Sequence, residues 1–147
     1  MASIIRLYVD QPLSKESDVQ LSESQIHYLY AVMRIKEGTL LHLFNEKDGE
    51  WSFEITNLQK KKCNLRAHAQ LREKDHCPDI TLVFAPIKKQ RLDFIIEKAC
   101  ELGVRTLQPI ITKRCVVSKL KSDRLHAQVI EAAEQCERLN IPFVKEE

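Results

Sequence analysis

Ile80-Thr-Leu-Val-Phe-Ala-Pro-Ile-Lys-Lys-Gln-Arg-Leu-Asp-Phe-Ile-Ile-Glu-Lys-Ala-Cys-Glu-Leu-Gly103 is the stretch whose reading decides the fold. Ile80–Ala85 is a short continuous apolar run, the pattern of a strand covered on both faces. Leu92, Ile95, Ile96, Ala99 and Leu102 then recur at helical spacing, and Gly103 stands where a left-handed C-cap is wanted. Leu107–Ile111 reads as the next buried strand. Ser122 is placed to cap a helix with Leu125, Val129, Ala132, Ala133 and Cys136 on its apolar side. Asn140 and Pro142 end that helix, and Phe143-Val144 begins a third strand. The rhythm β-α-β-α-β predicts an α/β unit with parallel strands. Three strands, the last barely begun, and two helices make a poor closed core. The expectation is therefore a piece of a longer protein, or an open edge covered by a second copy.

Upstream, Glu73-Lys-Asp-His-Cys-Pro-Asp79 is polar, contains proline and suits a linker. Before it the pattern is that of a small β-domain. Ser3–Val9 reads as a strand, and Ser22-Glu-Ser-Gln25 as a capping box opening a helix that carries Ile26, Leu29, Val32 and Met33. Lys36-Glu-Gly38 ends that helix. Leu40–Phe44 and Trp51–Ile55 read as strands joined by a turn at Asp48-Gly49. In a later strand Cys63, Leu65, Ala67, Ala69 and Leu71 alternate with Asn64, Arg66, His68, Gln70 and Arg72, giving one apolar and one polar face.

The 147 residues carry a net charge of +2, so any basic surface must come from arrangement and not from excess. No apolar run approaches the roughly 20 residues that span a bilayer, and the N-terminus lacks a signal-peptide pattern. Five scattered cysteines without a C-x-x-C pair argue for reduced thiols and a cytoplasmic protein. The chain has only three glycines, and each has a structural post: Gly38 after a helix, Gly49 in a turn, Gly103 at a C-cap. No phosphate-cradling glycine loop is present. Cys63, His68, His76 and Cys77 have no recognised zinc spacing, and no metal site is expected.

Three groups of polar residues remain. Arg124, Gln128, Glu131, Gln135 and Arg138 form a stripe on the last helix that is either solvated or suited to hydrogen bonding with a base or a partner subunit. Asp93, Glu97 and Glu101 stack on the preceding helix, and Lys113 or Arg114 is expected to answer their charge. Arg6, Arg34, Lys60-Lys-Lys62 and the Arg66/Arg72 face are candidates for a basic, phosphate-contacting surface.

Several ordered stretches carry a family resemblance. They are Arg6-Leu-Tyr8; His27-Tyr-Leu-Tyr-Ala-Val-Met-Arg34 with Gly38; Phe84-Ala-Pro-Ile-Lys-Lys-Gln-Arg91; Ile95-Ile-Glu-Lys-Ala-Cys-Glu-Leu-Gly103; Pro109-Ile-Ile-Thr-Lys-Arg114; and Glu131-Ala-Ala-Glu-Gln135 with Arg138 and Pro142. Together they resemble the 16S ribosomal RNA uridine N3-methyltransferases, the RsmE family. The resemblance implies an α/β plus β fold: a PUA-like RNA-binding β-barrel over residues 1–73, then the first half of a SPOUT α/β (trefoil-knot) domain over 79–147. It also implies S-adenosylmethionine as methyl donor, 16S rRNA in the small ribosomal subunit as partner, and a homodimer with its active site across the subunit interface. Members of the family continue well past the position of Glu147, and their glycine-rich cofactor loops and knot lie there. Cofactor residues are accordingly not assigned, and this piece alone is expected to be inactive.

The implied chemistry is methylation of uracil N3, which lies on the Watson–Crick edge and bears a weakly acidic proton. The base must be unpaired or flipped to be reached, and a cation near its carbonyl oxygens would stabilise the imide anion. Arg114, Arg138 and Gln135 are the candidates for the catalytic end. Arg6, Arg34, Arg66, Arg72, Lys88 and Arg91 are the candidates for RNA contacts. The alternative is a non-catalytic RNA-binding or assembly module.

Overall fold

A computed structural model describes residues 4–115, 117 and 120–146. The chain forms two compact units, Met1–Asp75 and His76–Glu147.

The first unit holds β1 (Arg6–Tyr8), α1 (Glu23–His27), β2 (Leu40–Asn45), β3 (Gly49–Gln59) and β4 (Lys62–Arg72), in sheet order β1-β2-β3-β4. β1 pairs parallel with β2, and the other two pairings are antiparallel. The capping box at α1 forms: Ser22 Oγ accepts from Gln25 N–H, and Gln25 Oε1 accepts from Ser22 N–H. The Gln25 side-chain amide also donates to the Tyr8 carbonyl at 2.8 Å, tying the helix to β1.

The apolar stripe of that helix stops at Leu29. From Tyr28 to Val32 the turn widens to a π-helix, and Met33 N–H donates to the Tyr28 carbonyl five residues back. A wider turn carries later residues off the 3.6-residue stripe. Val32 and Met33, expected in the core, are instead 61% and 42% exposed. In the hairpin, Phe53 and Ile55 are sealed as their alternation predicts, yet Ser52 and Glu50 on the opposite face are buried too. Register shifts between Glu50/Trp51, Ser52/Phe53 and Ile55/Asn57 bend β3 and break strict alternation. At Gly49 (φ +80) an added Cβ would lie 2.1 Å from the Arg72 carbonyl oxygen, so the close approach of β4 requires glycine. Ala69 and Leu71, read as core-facing in β4, are exposed: the register shift between Ser52 and Phe53 sets Ala69 opposite Ser52, off the face of Phe53 and Ala67.

The second unit holds β5 (Thr81–Phe84), α2 (Lys89–Glu101), β6 (Thr106–Pro109), α3 (Ser122–Gln135) and β7 (Phe143–Val144), a parallel sheet in order β5-β6-β7. Consecutive right-handed crossovers in sequential strand order place both helices on one face. Leu92 and Ile96 of α2, Leu107 of β6, and Leu125 and Val129 of α3 accordingly share one core. That topology corrects the expectation of strands covered on both faces. Ile80, Val83, Ile110 and Ile111 are 49%, 55%, 41% and 47% exposed. An apolar run identifies a strand but does not count the layers packed on it.

Two smaller differences follow from local geometry. Leu102 lies at the end of α2 and is exposed, while Cys100 takes the inward position. Ser122 is already inside α3; Lys121 is the N-cap residue, with no side-chain capping bond.

Candidate functional site

A parallel sheet has two unlike ends, and ligands of α/β folds bind outside the carboxyl ends of the strands. In the second unit that end comprises the loop from β5 into α2, the loop after β6, and the start of α3. Ala85-Pro-Ile-Lys88 leads into α2, whose first turn carries Lys89, Gln90 and Arg91. These four residues, Lys88 to Arg91, line a pocket of about 410 Å³. Lys88 is the N-cap and makes no capping bond. Cations at a helix N-terminus oppose the macrodipole, and its open amide groups favour an anion. The arrangement costs local stability and suits a phosphate.

After β6 the chain turns at Thr112–Cys115, with Cys115 N–H donating to the Thr112 carbonyl at 3.0 Å. The Cys115 thiol holds the Thr112 amide and hydroxyl at 3.2 and 3.3 Å. This small turn projects Lys113 and Arg114, both exposed, at the carboxyl end. Between the helices, Arg124 Nη2 holds both carboxylate oxygens of Asp93 at 2.6 and 2.9 Å, and Gln128 Nε2 adds a third bond at 2.6 Å. The buried Gln128 Oε1 has no hydrogen-bond partner among the described residues. Asp93 is therefore answered by Arg124, not by Lys113 or Arg114. Glu97 and Glu101 are answered within their own helix by Lys98, at 2.8 and 2.9 Å. The hydrogen bonds that Lys98 donates to Glu101 and Glu97 push its ammonium up to about 12.

Arg138 and Gln135 lie at the other end. α3 runs back along the sheet, so Gln135 ends it about 20 Å from Ser122, at ~1.5 Å per residue. Glu137 turns to φ +60, and Arg138 leaves the helical register. Its guanidinium donates to the Cys100 carbonyl at 2.9 Å and lies 3.0 Å from Cys77 Sγ, joining the end of α2 to the segment before β5. Burial and the neighbouring Cys136 push the Cys100 thiol up to about 12, so it carries no nucleophile at neutral pH. Within one chain, then, Arg114 is separated from Arg138 and Gln135 by the length of the sheet.

In the first unit the arginines of the sheet face have carboxylate partners. Arg6 is buried, with its guanidinium 4.2 Å from the Phe44 ring centre and its Nε 2.8 Å from Glu50. Arg72 Nε donates to the other Glu50 oxygen at 2.7 Å, and His42 Nδ1 lies 2.9 Å from the first. Burial raises the Glu50 carboxyl, but the bonds and charges of Arg6 and Arg72 outweigh it and hold the group below the usual carboxylate range. Arg66 pairs with Glu54 at 2.7 Å, which likewise lowers the Glu54 carboxyl. These partners stand opposite one another in the ladder: Glu50 faces Arg72, and Glu54 faces Arg66. Reading the cations of β4 without the register of β3 misses the neutralisation, although both glutamates are plain in the sequence. Of these arginines Arg34 is the one exposed without such a partner among the described residues, at φ +51. Among the described residues no group of three His, Cys, Asp or Glu side chains converges on a metal position, and no helix is long and apolar enough to cross a membrane.

Known proteins match this arrangement in order. A family described as an RNA methyltransferase PUA domain matches residues 21–67, and one described as an RNA methyltransferase domain matches residues 73–147. The chain is 35% identical to the ribosomal RNA small subunit methyltransferase E of Rickettsia conorii over 95% of its own length and 58% of that protein's. The crystal structure of the enzyme of that name from Neisseria gonorrhoeae, bound to S-adenosylmethionine, is similar at 30% identity and a TM-score of 0.85, over 97% of this chain and 61% of that one. A putative methyltransferase from Legionella pneumophila, in complex with the same cofactor, is similar at 29% identity and a TM-score of 0.86, over 98% and 62% of the two chains. The chain thus spans about three fifths of the length of these relatives.

Proposed function

This chain belongs to the RNA methyltransferase family, with a PUA domain preceding the methyltransferase fold, and from that membership we propose that the whole protein methylates the RNA of the small ribosomal subunit. The reading extends to S-adenosylmethionine as donor, N3 of a uridine in 16S rRNA as acceptor, a homodimer as the working form, and the cytoplasm as its place. The observation that carries it is the pair of family matches in the same order as the two compact units. The relatives that bear the names of small-subunit rRNA methyltransferases support the RNA substrate, and the two solved with S-adenosylmethionine bound support the donor.

The donor supplies an electrophilic methyl group on a cationic sulfonium. The pocket at the carboxyl end does not fit it: Lys88, Lys89 and Arg91, three of its four lining residues, are cations that repel a sulfonium. The donor is therefore not assigned to this pocket, whose cations are assigned to RNA phosphates. Methylation at N3 needs loss of the N3 proton, which leaves an imide anion shared with O2 and O4. Arg114, exposed at the carboxyl end of β6, is proposed to neutralise that anion. Arg138 and Gln135, at the opposite end, would meet the same base only from another subunit.

The test is methylation of small-subunit rRNA by the full-length protein, with the product nucleoside identified by mass and chromatography. N3-methyluridine is the expected product. A methyl group on another atom would discard the N3 assignment, and no transfer at all would discard the enzyme.

A further inference from the structure

We propose that the RNA-contacting surface of the N-terminal unit is the end of its sheet where Arg34 and Lys36 meet the Lys60-Lys61-Lys62 hairpin tip, and not the arginine face of β4. The inference rests on the RNA substrate proposed above and gives it a place. Arg34 and Lys36 are far from Lys60 in sequence, but the fold brings them beside the same stretch of β3. Gly38 N–H donates to the Ile55 carbonyl at 2.8 Å, and Ile55 N–H donates to the Thr39 carbonyl at 3.0 Å. Glu37 Oε1 accepts from Leu58 N–H and from the Asn57 side-chain amide, each at 3.2 Å. β3 ends at Gln59, one residue past Leu58, and Lys60 and Lys61 form the turn into β4, which starts at Lys62. The two basic segments therefore share one end of the sheet.

The positive charge at this end is in excess. Arg6, Arg66 and Arg72 have Glu50 and Glu54. Arg34, Lys36, Lys60, Lys61 and Lys62 are all exposed, and none is ion-paired among the described residues. The nearby carboxylate, Glu37, hydrogen-bonds the neutral Leu58 N–H and Asn57 amide and pairs with no cation among the described residues, so it offsets one charge and leaves the five cations in excess.

The chain also stores backbone strain here. The π-helical turn at Tyr28–Val32 runs directly into Arg34 at φ +51, a region costly for a side chain of that size. That distortion turns Val32 and Met33 outward, at 61% and 42% exposure, immediately before Arg34, and Tyr30 in the same turn is 46% exposed. Cations with an exposed aromatic ring are what RNA needs: phosphate contacts, and a flat face for an unpaired base.

The experiment uses the 147-residue chain and a 16S rRNA transcript, with affinity measured across about 50 to 200 mM salt, where phosphate contacts set the slope. The triple variant Lys60→Gln, Lys61→Gln, Lys62→Gln is expected to flatten the log–log salt slope by about 2, and Arg34→Gln by about 0.7–0.9. Tyr30→Ala is expected to weaken binding about tenfold with the slope unchanged, as loss of one stacked base would. Arg66→Gln, which removes a cation already paired with Glu54, should leave affinity and slope as they are. All the altered side chains are exposed, and melting temperatures will show that each variant folds. If the wild type binds and the lysine variant keeps its full slope while Arg66→Gln loses it, the surface assigned here is wrong. If the wild type does not bind the transcript, the RNA reading fails and takes the surface with it.

Discussion

Arg6 donates its Nε–H to Glu50 at 2.8 Å, and the two side chains are only 6% and 4% exposed. Both charges have left water, and each depends on the other. Breaking a buried pair by removing one partner leaves an uncompensated charge, which typically costs about 3–5 kcal/mol. Glu50→Gln, which keeps the volume, should therefore lower the melting temperature of the N-terminal unit by about 12 °C or more. Glu54→Gln, on the exposed Arg66 pair, should leave it nearly unchanged. Thermal unfolding followed by circular dichroism compares the two; equal melting points would deny the buried cluster its role.

The same carboxylate sets an acid limit. Glu50 titrates below its ordinary value of 4.5 in the folded chain, so the folded state binds its proton less readily than the unfolded state. Its contribution is complete above pH 4.5 and is lost as pH falls through the lower native value. Urea midpoints from neutral pH downward should fall more steeply below pH 4.5 in the wild type than in Glu50→Gln. Parallel acid limbs would show that the titrating group lies elsewhere.

The Arg124–Asp93 pair ties α3 to α2 and is partly screened, with the side chains 40% and 35% exposed. Its worth is that of a favourable surface pair, about 1 kcal/mol at most. Arg124→Met should lower the melting temperature of the C-terminal unit by about 4–8 °C at that limit. Asp93→Asn combined with Arg124→Met should destabilise less than the two single effects added. Simple additivity would mean the two side chains do not cooperate.

Arg114 and Arg138 should respond in opposite ways in the full-length protein. Arg114→Ala is expected to slow single-turnover methylation on the order of 10²–10³-fold, as loss of an anion-stabilising donor does, with the melting temperature intact. Arg138→Ala opens the junction of the Cys100 carbonyl and Cys77. It should melt early, with folded protein reacting at close to the normal rate. The reverse pattern would move the catalytic role to Arg138.

With three glycines, all at turns or caps, and a cationic carboxyl-end pocket, the 147-residue chain should give no saturable heat with S-adenosylmethionine in calorimetry. Micromolar binding would place a cofactor pocket among residues now assigned to RNA.

The sequence by itself determined what depends on near neighbours. The Ser22–Gln25 capping box, the Gly103 cap, the turn at Gly49, and the strand and helix order of the second unit were all legible, because a few adjacent residues decide a cap, a turn or a periodicity. The ordered family stretches were legible for the same reason. The tertiary structure decided what depends on register and direction. Whether Arg72 is a free cation is settled only when bulges in β3 bring Glu50 opposite it, 22 positions away in the chain. Whether Arg114 and Arg138 share an end of the sheet is settled only by α3 running back between them. The apolar run at Ile80–Ala85 marked a strand, but the crossover hand, not the run, left Val83 uncovered. Charges act through distance in space, and sequence spacing fixes that distance only within one regular element.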